Sequence, residues 1–564
     1  MRLAIALSII VAISAAAIVS ASRVFSQTAD EPVHLLAGLH WLQTGKYDVD
    51  LEHPPLARVV FALDPFFEHA RGDGNALLER NNRYVRNLSL VRAGNLLFFA
   101  IAVVMTGIFA ARLFGFAAGV LAAGLFALLP NVLAHAGLAT TDVAATAFVI
   151  AALSCLTAPA WLLGLVIAMG VVSKFSFPVF LVAGAIPFVR KRSLRDIALI
   201  IAIAFLAVWA MYRFDVGTMR EARSGVFMHD SAAGVASRYA MSPGYEWVRP
   251  DLVERYWAYA RKAGRNVDIV DWAKAAGYRS PDAGRHGNTI GGAPPPVRPT
   301  GAAERVRSAY QWIAVHVPLP APRFFVGLEV VRNHATGQHP AFLLGRIRDR
   351  GWWYYFPVVF FFKTPIPFLV LLVIGFLFRE TWRLSVAALL MLIPPMLSTL
   401  DIGVRHILPV MPLLAIIAAY AAIRLWRPAA LALLLWLIVA DVRAYPDYLA
   451  YFNEFAGAHP ERIASDSNLD WGQDLLRLKA FVRERNIPSI HVSYFGSADV
   501  RWHIPQAQLL KSAQVVDGYV AVSEMMFTYG TADSRAGFAW LNTLAPKQRI
   551  GRSIRLYFVA APPK

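Results

Sequence analysis

Residues 3–22 read LAIALSIIVAISAAAIVSAS, an apolar run without a single charged side chain. A helix needs about 20 apolar residues to cross the ~30 Å of hydrocarbon in a bilayer, so this run is long enough to span a membrane. Its basic start and its small final residues are also typical of a cleaved signal peptide. We favour a retained helix, because retention would hold Asp30 and Glu31, which follow it, at the outer membrane surface.

The whole chain shares this apolar character. Of its 564 residues 57% are hydrophobic and only 16% are charged, and the mean hydropathy is +0.47. About a quarter of the residues in soluble globular domains are charged, so the composition excludes an ordinary soluble protein. The net charge of +18 does not indicate nucleic acid, because the Lys and Arg residues lie between apolar runs and in polar loops, not in one basic stripe.

About eleven runs have the length or the apolarity of a membrane helix. They cover residues 3–21, 94–111, 115–136, 139–157, 158–173, 175–190, 196–213, 354–378, 382–400, 404–423 and 428–441. The short loops that contain Arg2, Arg112, Arg192, Arg379 and Arg424 fall on one side, which the positive-inside rule makes the cytoplasm. The sequence therefore predicts an α-helical polytopic protein of the bacterial inner membrane.

Three segments are predicted on the opposite, periplasmic side. Residues 22–93 form a first outer loop, in which stretches such as VHLLAGLHWL indicate helices lying along the membrane surface. Residues 214–353 form a large outer loop with the Pro/Gly-rich stretch GGAPPPVRPTG. After residue 441 the apolar runs shorten to strand length and alternate with a helical pattern, which allows a partly parallel sheet. We therefore divide the chain into a membrane module, 1–441, and a soluble α/β domain, 442–564.

Two acidic sites are predicted at the outer interface. Asp30 and Glu31 follow the first run, and Asp142 opens the fourth. Partial desolvation at this depth can raise the pKa of a carboxyl group, which suits a general base. The alternative is structural, since a solvated acidic pair can mark a helix end and Thr140, Thr141 or Asp142 can cap a helix.

Other candidate residues are basic or are histidines. His53 precedes the rigid Pro54-Pro55 pair, which limits the directions in which its ring can point. Cations in or beside apolar segments usually have an anionic partner, and a lipid phosphate would provide one. Snorkelling to lipid headgroups is the alternative for each cation taken singly. The cations are Arg92, Lys174, Lys363 and Arg405, and His406 follows the last of them.

The motifs, in this order along the chain, resemble the GT-C glycosyltransferase superfamily. The resemblance rests on a membrane helix followed by Asp30-Glu31, on EHPPL at 52–56, on TTD at 140–142 and on SK at 173–174. Two longer stretches make the resemblance more specific. They are GQHPAFLLGRIRDRGWWYYFPVVFFFKTPIPF and YPDYLAYFNEFAGAHPERIASDSNLDWGQDLLRLKAF. The group that they resemble is the bacterial family 39-like, phospholipid-carrier-dependent one, which is related to protein O-mannosyltransferases and aminoarabinose transferases.

The resemblance implies an inverting transfer of a sugar from a polyprenyl phosphate to an acceptor hydroxyl. Asp30 would be the general base, Glu31 would help to hold the acceptor or a metal ion, and Asp142 would be the second acidic motif. Arg92 and Lys174 would bind the carrier phosphate. Weaker matches are the phosphate ligands Lys363 and Arg405 and the substrate ligands His53 and His406. The resemblance leaves the metal open, and a divalent ion is one possibility.

Other functions remain open at this point. A transporter or flippase of lipid-linked glycans would also have many membrane helices and buried cations. A non-catalytic assembly or sensor protein would leave the interfacial acids without a purpose. The sequence contains no P-loop, HExxH or dinucleotide motif, which favours a lipid-borne donor. Residues 466–471, DSNLDW, either bind an acceptor or cap the next helix. The acceptor is a protein, a lipid or a glycan, and no nucleic acid is expected as a partner.

Overall fold

The computed structural model describes residues 1–189, 191–224, 252, 255–256, 309–310, 312–336, 340–511, 514–532 and 537–560. Most of the predicted loop 214–353, including GGAPPPVRPTG, lies outside the described residues.

Helices make up most of the described chain. They are α1 Arg2–Ser22, α2 Glu31–Thr44, α3 Pro55–Phe61, α4 Leu63–Phe67, α5 Gly74–Glu79, α6 Tyr84–Phe114, α7 Phe116–Ala127, α8 Pro130–Ala136, α9 Asp142–Ser154, α10 Ala160–Val171, α11 Phe177–Ala185, α12 Leu194–Met211, α13 Met219–Ser224, α14 Pro322–Thr336, α15 Tyr355–Lys363, α16 Ile366–Phe376, α17 Trp382–Leu397, α18 Met411–Arg424, α19 Arg427–Ala444, α20 Leu475–Glu484, α21 Val500–His503 and α22 Glu524–Ala532.

Each predicted apolar run coincides with a helix or with a pair of helices. Among the described residues, four helices are long and apolar enough to cross a membrane: α1, α6, α12 and Val404–Arg424. The pair α7 and α8, bent by 67°, would make a fifth. Shorter apolar helices account for four more of the predicted runs. The chain is a multi-pass membrane protein, and the number of about eleven crossings stays a prediction.

Proline divides two of the predicted runs. The run 354–378 forms two helices, because Pro365 has no backbone N–H and disfavours helical geometry at the residue before it. Pro130 likewise stands at the first position of α8, after the bend that ends α7. Both breaks leave polar backbone groups available to side chains from other segments.

Small residues let the first helices approach closely. Helix α6 packs against α1, α7 and α9. A Cβ atom on Gly119 would lie only 2.8 Å from the carbonyl oxygen of Gly107, so the contact between α6 and α7 requires glycine there. Such small-residue contacts are common between membrane helices, where close van der Waals packing drives association.

Short strands complete the fold. They are β1 Val216–Gly217, β2 Leu319–Pro320, β3 Ala341–Leu343, β4 Arg346–Arg348, β5 Ile490–Ser493, β6 Ala507–Leu509, β7 Gly518–Ser523, β8 Gln548–Ile550 and β9 Ile554–Val559. The last five form one sheet in the order β6-β5-β7-β9-β8, in which β5 is parallel to both of its neighbours and β9 antiparallel to its own. Helix α20 packs its apolar face on this sheet. The predicted C-terminal α/β region is confirmed.

The chain forms two compact units by its internal contacts. Unit 1 comprises Met1–Gln43, His53–Val208 and Val331–Lys564, and unit 2 comprises Thr44–Glu52 and Trp209–Val330. Unit 1 contains both the C-terminal sheet and most of the membrane helices, and the boundary at residue 441 stays a prediction. Within unit 2, β1 and β2 pair antiparallel and Arg323 forms an ion pair with Asp215.

Candidate active site

Asp30 and Glu31 have opposite environments. Glu31 is the first residue of α2, where the helix dipole favours an acid, and its side chain is fully buried. The side chain of Asp30, immediately before the helix, is 32% exposed. Of these two acids, therefore, Asp30 is the one that a substrate can reach.

Glu31 accepts hydrogen bonds at both of its carboxylate oxygens. The guanidinium of Arg92 binds both of its carboxylate oxygens at 2.8 Å. The backbone N–H groups of Thr28 and Ala139 donate to the same oxygens at 2.7 and 2.9 Å. Burial alone would raise the pKa of Glu31, but Arg92 and these donors keep that pKa below its ordinary value. Glu31 therefore joins α2, α6 and the loop before α9 as an ionised structural residue.

Arg92 uses all of its N–H groups inside the protein. Besides Glu31, it donates to the carbonyl oxygens of Ser22, Phe25 and Ser26 at 2.7, 3.3 and 2.8 Å. Its side chain is only 2% exposed. This geometry leaves no N–H of Arg92 for a phosphate oxygen, which does not support the phosphate-binding role that the resemblance implies.

Arg405 connects the two acidic motifs. Its Nη1 lies 2.9 Å from Asp30 Oδ2 and 3.9 Å from Asp142 Oδ2. Asp142 also forms a hydrogen-bonded ion pair with Lys174. Four residues from distant parts of the sequence thus form one cluster of two carboxylates and two cations, which we call the Arg405 cluster: Asp30, Asp142, Lys174 and Arg405.

The guanidinium of Arg405 stacks on an indole ring. Its Cζ lies 4.1 Å from the centroid of the Trp471 ring, a distance at which the cation is attracted by the ring face. Its Nε is buried and has no hydrogen-bond partner among the described residues. Arg405 is therefore fixed in direction, and its Nε is a buried donor that the described protein atoms leave unpaired.

Two predicted histidines lie beside the cluster. The ring of His53 contacts Thr141 Oγ1 through Nδ1 at 3.3 Å, next to Asp142. It also lies edge-on to the ring of His34, with centroids 5.1 Å apart. Burial holds the pKa values of His34 and His53 well below the ordinary value, so both are neutral near pH 7. His406 follows Arg405, lies in electrostatic range of Asp142, and its Nε2 has no partner within the described chain.

Sequence reasoning missed His34 and Arg58. Arg58 is fully buried, and its Nε donates to His34 Nδ1 at 2.9 Å. A signal was present, because His34 stands one helical turn after Asp30 and Arg58 comes just after the Pro54-Pro55 pair. His34 contacts the ring of His53 and lies in electrostatic range of Arg405, Asp142 and Lys174, and Arg58 holds it there.

Lys363 has a different environment from the other predicted cations. Its Nζ donates to the carbonyl oxygens of Leu449 and Asn468, at 2.6 Å each, and lies 4.5 Å from the centroid of the Phe452 ring. The residue is 1% exposed. Its contacts in the described chain hold the segment that leads to Trp471, and they do not support a phosphate-binding role.

The segment 466–473 reaches the first outer loop. The backbone N–H of Ala29 donates to the Trp471 carbonyl at 3.1 Å, and that of Ser26 donates to the Gln473 carbonyl at 2.9 Å. The next helix begins only at Leu475, so residues 466–471 do not cap it. Asp466 lies within electrostatic range of Arg405 and Asp30. The C-terminal region therefore places Trp471 against Arg405 and Asp466 within its electrostatic range.

A metal ion is not supported by this donor set. In the part of the chain that the structure describes, no group of three His, Cys, Asp or Glu side chains is placed to hold one. Asp30 and Asp142 both face cations instead, and hard divalent ions need several oxygen ligands together.

No protein-family model and no curated protein matches the sequence. Among solved structures, the chain is similar to ArnT from Cupriavidus metallidurans bound to undecaprenyl phosphate, at 12% identity and a TM-score of 0.41, over 99% of both chains. It is also similar to the oligosaccharyltransferase AglB from Archaeoglobus fulgidus in complex with an inhibitory peptide and a dolichol-phosphate. That match has 13% identity and a TM-score of 0.39, over 92% of this chain and 69% of AglB.

Proposed function

We propose that the protein is an inverting glycosyltransferase, which moves a hexosyl or pentosyl group from a polyprenyl-phosphate donor to an acceptor hydroxyl. The observation that carries this proposal is the Arg405 cluster, in which one guanidinium faces both acidic motifs. We place the reaction at the periplasmic face of the inner membrane, because the basic loops indicate the opposite side as cytoplasmic.

Asp30 is the proposed general base. It is the most exposed acid of the cluster, since the side chain of Asp142 is only 2% exposed. Asp30 takes the proton of the acceptor hydroxyl while that oxygen attacks the anomeric carbon. The bond from the anomeric carbon to the phosphate oxygen breaks, and its electron pair stays on the phosphate. A single displacement of this kind inverts the anomeric centre.

Arg405 and Lys174 are the proposed ligands of the donor phosphate. Guanidinium and ammonium groups form strong charge-assisted hydrogen bonds to phosphate oxygens. Fixed cations also stabilise the charge that develops on the leaving phosphate. A phosphate at Arg405 would compete with Asp30 for the guanidinium, so donor binding releases the base from its ion pair. Undecaprenyl phosphate and dolichol-phosphate, named for ArnT and AglB, are carriers of the class that we propose.

Replacement of Asp30 by Asn tests the proposal. We expect Asp30→Asn to lower the rate of sugar transfer in liposomes by about a hundred- to ten-thousandfold, while the variant still binds the lipid phosphate. The matched control is Asp64→Asn, which removes an acid of the same loop that pairs with Arg80 outside the cluster, and it should leave transfer near wild type. Unchanged transfer by Asp30→Asn would remove Asp30 as the base.

One observation favours a second function, the transport of lipid-linked glycans. Transporters often contain discontinuous helices, and here α7 and α8 are bent by 67° and α15 is separated from α16 at Pro365. A liposome assay separates the two functions, because a transporter would move a labelled lipid-linked glycan across the bilayer without attaching its sugar to an acceptor.

A further inference from the structure

We propose that Trp471, which the C-terminal region places against Arg405, is a positioning residue: the face of its indole ring holds the guanidinium in the orientation that binds the donor phosphate. This inference rests on the proposed function and gives the C-terminal region a role in donor binding.

The ring of Trp471 contacts the guanidinium through its face. Arg405 Cζ lies 4.1 Å from the ring centroid. Carbon atoms in van der Waals contact are about 3.5–4 Å apart, so an approach along the ring edge, whose atoms lie outside the centroid, would leave Cζ farther away. The ring face attracts the cation, and a stacked guanidinium keeps its N–H groups for hydrogen bonds. The contact therefore restrains Arg405 without occupying a donor.

Asp30 restrains the same guanidinium at one nitrogen. Its Oδ2 lies 2.9 Å from Arg405 Nη1. Donor binding, as proposed above, replaces this contact by a phosphate, whereas the contact with Trp471 uses no N–H group and can persist. A long, flexible side chain loses rotamer freedom when it binds a ligand, and a contact that fixes it beforehand reduces this cost. Trp471 thus keeps Arg405 in place while its anionic partner changes.

The ring of Trp471 is itself fixed. The residue is 2% exposed, and its side chain packs in an apolar cluster with Leu138 and Leu449. Its backbone N–H donates to Gln473 Oε1 at 2.8 Å. Because interiors are close-packed, a buried ring of this size reorients only when its neighbours move. Trp471 is therefore a rigid support for the cation.

Trp471 also connects the segments that form the site. Its carbonyl oxygen accepts from the N–H of Ala29 at 3.1 Å, immediately before Asp30. Its side chain packs on Leu138, in the loop that leads to α9, and its ring supports Arg405. A single residue of the C-terminal region thus contacts three segments that supply the proposed base, the second acidic motif and the phosphate ligand.

Packing alone is the other role that Trp471 could have, since large aromatic side chains stabilise many protein cores. The two roles depend on different properties of the ring. Packing depends on its volume and its apolar surface, whereas the attraction of a cation depends on the electron density of its face. A decisive experiment changes the electron density and keeps the volume.

The test replaces Trp471 by a series of fluorinated tryptophans in the full-length protein, introduced at this position alone by a suppressor tRNA. Each fluorine makes the ring face less negative and hardly changes the size of the ring. The measurement is the binding of undecaprenyl phosphate in detergent, with undecaprenol, which lacks the phosphate, as the comparison lipid.

We expect the affinity for undecaprenyl phosphate to fall with each added fluorine, by about two- to thirtyfold over the series. The affinity for undecaprenol should stay constant, because that lipid presents no phosphate to Arg405. A constant affinity for undecaprenyl phosphate along the series would overturn the inference, and so would an equal loss for both lipids.

The matched control is the same series at Trp502, whose ring lies under a different cation, Lys479, at 5.4 Å. It should leave the affinity for undecaprenyl phosphate unchanged, and a fall equal to that at Trp471 would count against a specific role. Trp471→Phe keeps an aromatic face and should bind this lipid more tightly than Trp471→Leu; equal binding by the two would contradict the inference. If Trp471→Leu does not fold, the fluorinated series decides, because it preserves the packing.

Arg405→Gln separates the two proposals. If Arg405→Gln lowers the affinity for undecaprenyl phosphate but the fluorinated series does not, only the role of Trp471 falls. If Arg405→Gln binds undecaprenyl phosphate as tightly as the wild type, Arg405 is not a ligand of the donor phosphate. That part of the proposed function then falls, and the role of Trp471 falls with it.

Discussion

Asp30 and Glu31 are neighbours in sequence, yet only one of them is accessible. Consecutive residues at a helix start point about 100° apart, so one side chain turns towards Arg92 and the other towards Arg405. The sequence indicates how deep in the membrane both acids lie, but not the direction in which each side chain points. Because Glu31 is buried and Asp30 is accessible, we propose Asp30 as the catalytic acid of the pair.

We expect Glu31→Gln to lower stability before it affects chemistry. The substitution leaves Arg92 buried without its counter-charge, which costs about 3–5 kcal/mol. Thermal unfolding of the purified protein in detergent measures the loss. In a double-mutant cycle, Glu31→Gln combined with Arg92→Gln should cost less than the sum of the two single changes. A Glu31→Gln variant as stable as the wild type but without transfer activity would instead give Glu31 a catalytic role.

The candidate site could be predicted in part from the sequence. Asp30, Asp142, Lys174 and Arg405 meet in one cluster, as the order of the motifs and their common interfacial depth indicate. Arg92 and Lys363 have the same sequence signature, but they face protein carbonyls. Hydropathy gives the depth of a cation along the membrane normal, whereas its rotation about the helix depends on tertiary packing.

At the scale of elements, proline explains the main departure from the predicted fold. The run 354–378 is apolar except at Lys363 and Thr364 and at its two tyrosines, so hydropathy alone indicates a single helix. The break before Pro365 frees carbonyl groups, and Asn131 and Asn453 donate to those of Lys363 and Thr364 at 2.8 and 2.9 Å. Which residues satisfy such a break depends on contacts between distant segments, and no local pattern predicts them.

We expect Lys363→Met to loosen the segment that carries Asp466. The carbonyl oxygens of Leu449 and Asn468 would lose their donor, and each unsatisfied buried group costs about 1–3 kcal/mol. The melting temperature of this variant should fall, and trypsin should cleave its region 449–485 sooner than that of the wild type. Lys547→Met is the control, because its Nζ lies over the Tyr519 and Phe558 rings of the C-terminal sheet, outside the region 449–485. Unchanged melting and proteolysis of Lys363→Met would show that these contacts do not hold the segment.

At the scale of the molecule, the N-terminal and C-terminal parts meet at the site. Ser26 and Ala29 bond to the backbone of residues 471–473, which supports the prediction that the start of the first outer loop and the C-terminal region lie on the same side of the membrane. The sequence predicts this common side, because an odd number of membrane crossings, about eleven, puts both segments outside. The helices of the structure do not determine that number. The contacts themselves join residues more than 440 positions apart, and local sequence patterns carry no information about them.

A topology reporter checks the predicted orientation. Fused after residue 445, the reporter should be active in the periplasm, because the basic loops indicate the opposite side as cytoplasmic. The same reporter inserted after Arg192, in a basic loop, should be active only in the cytoplasm. A cytoplasmic signal from the fusion after residue 445 would reverse the orientation and move the cluster to the other membrane face.

The position of the phosphate in a structure determined with a bound polyprenyl phosphate decides whether the Arg405 cluster is the donor site. We expect phosphate oxygens within about 3 Å of the side-chain nitrogens of Arg405 and Lys174, the usual length of charge-assisted hydrogen bonds, with Asp30 released from Arg405. A phosphate bound at the basic loops predicted to be cytoplasmic, or anywhere away from Arg405 and Lys174, would contradict the proposed function.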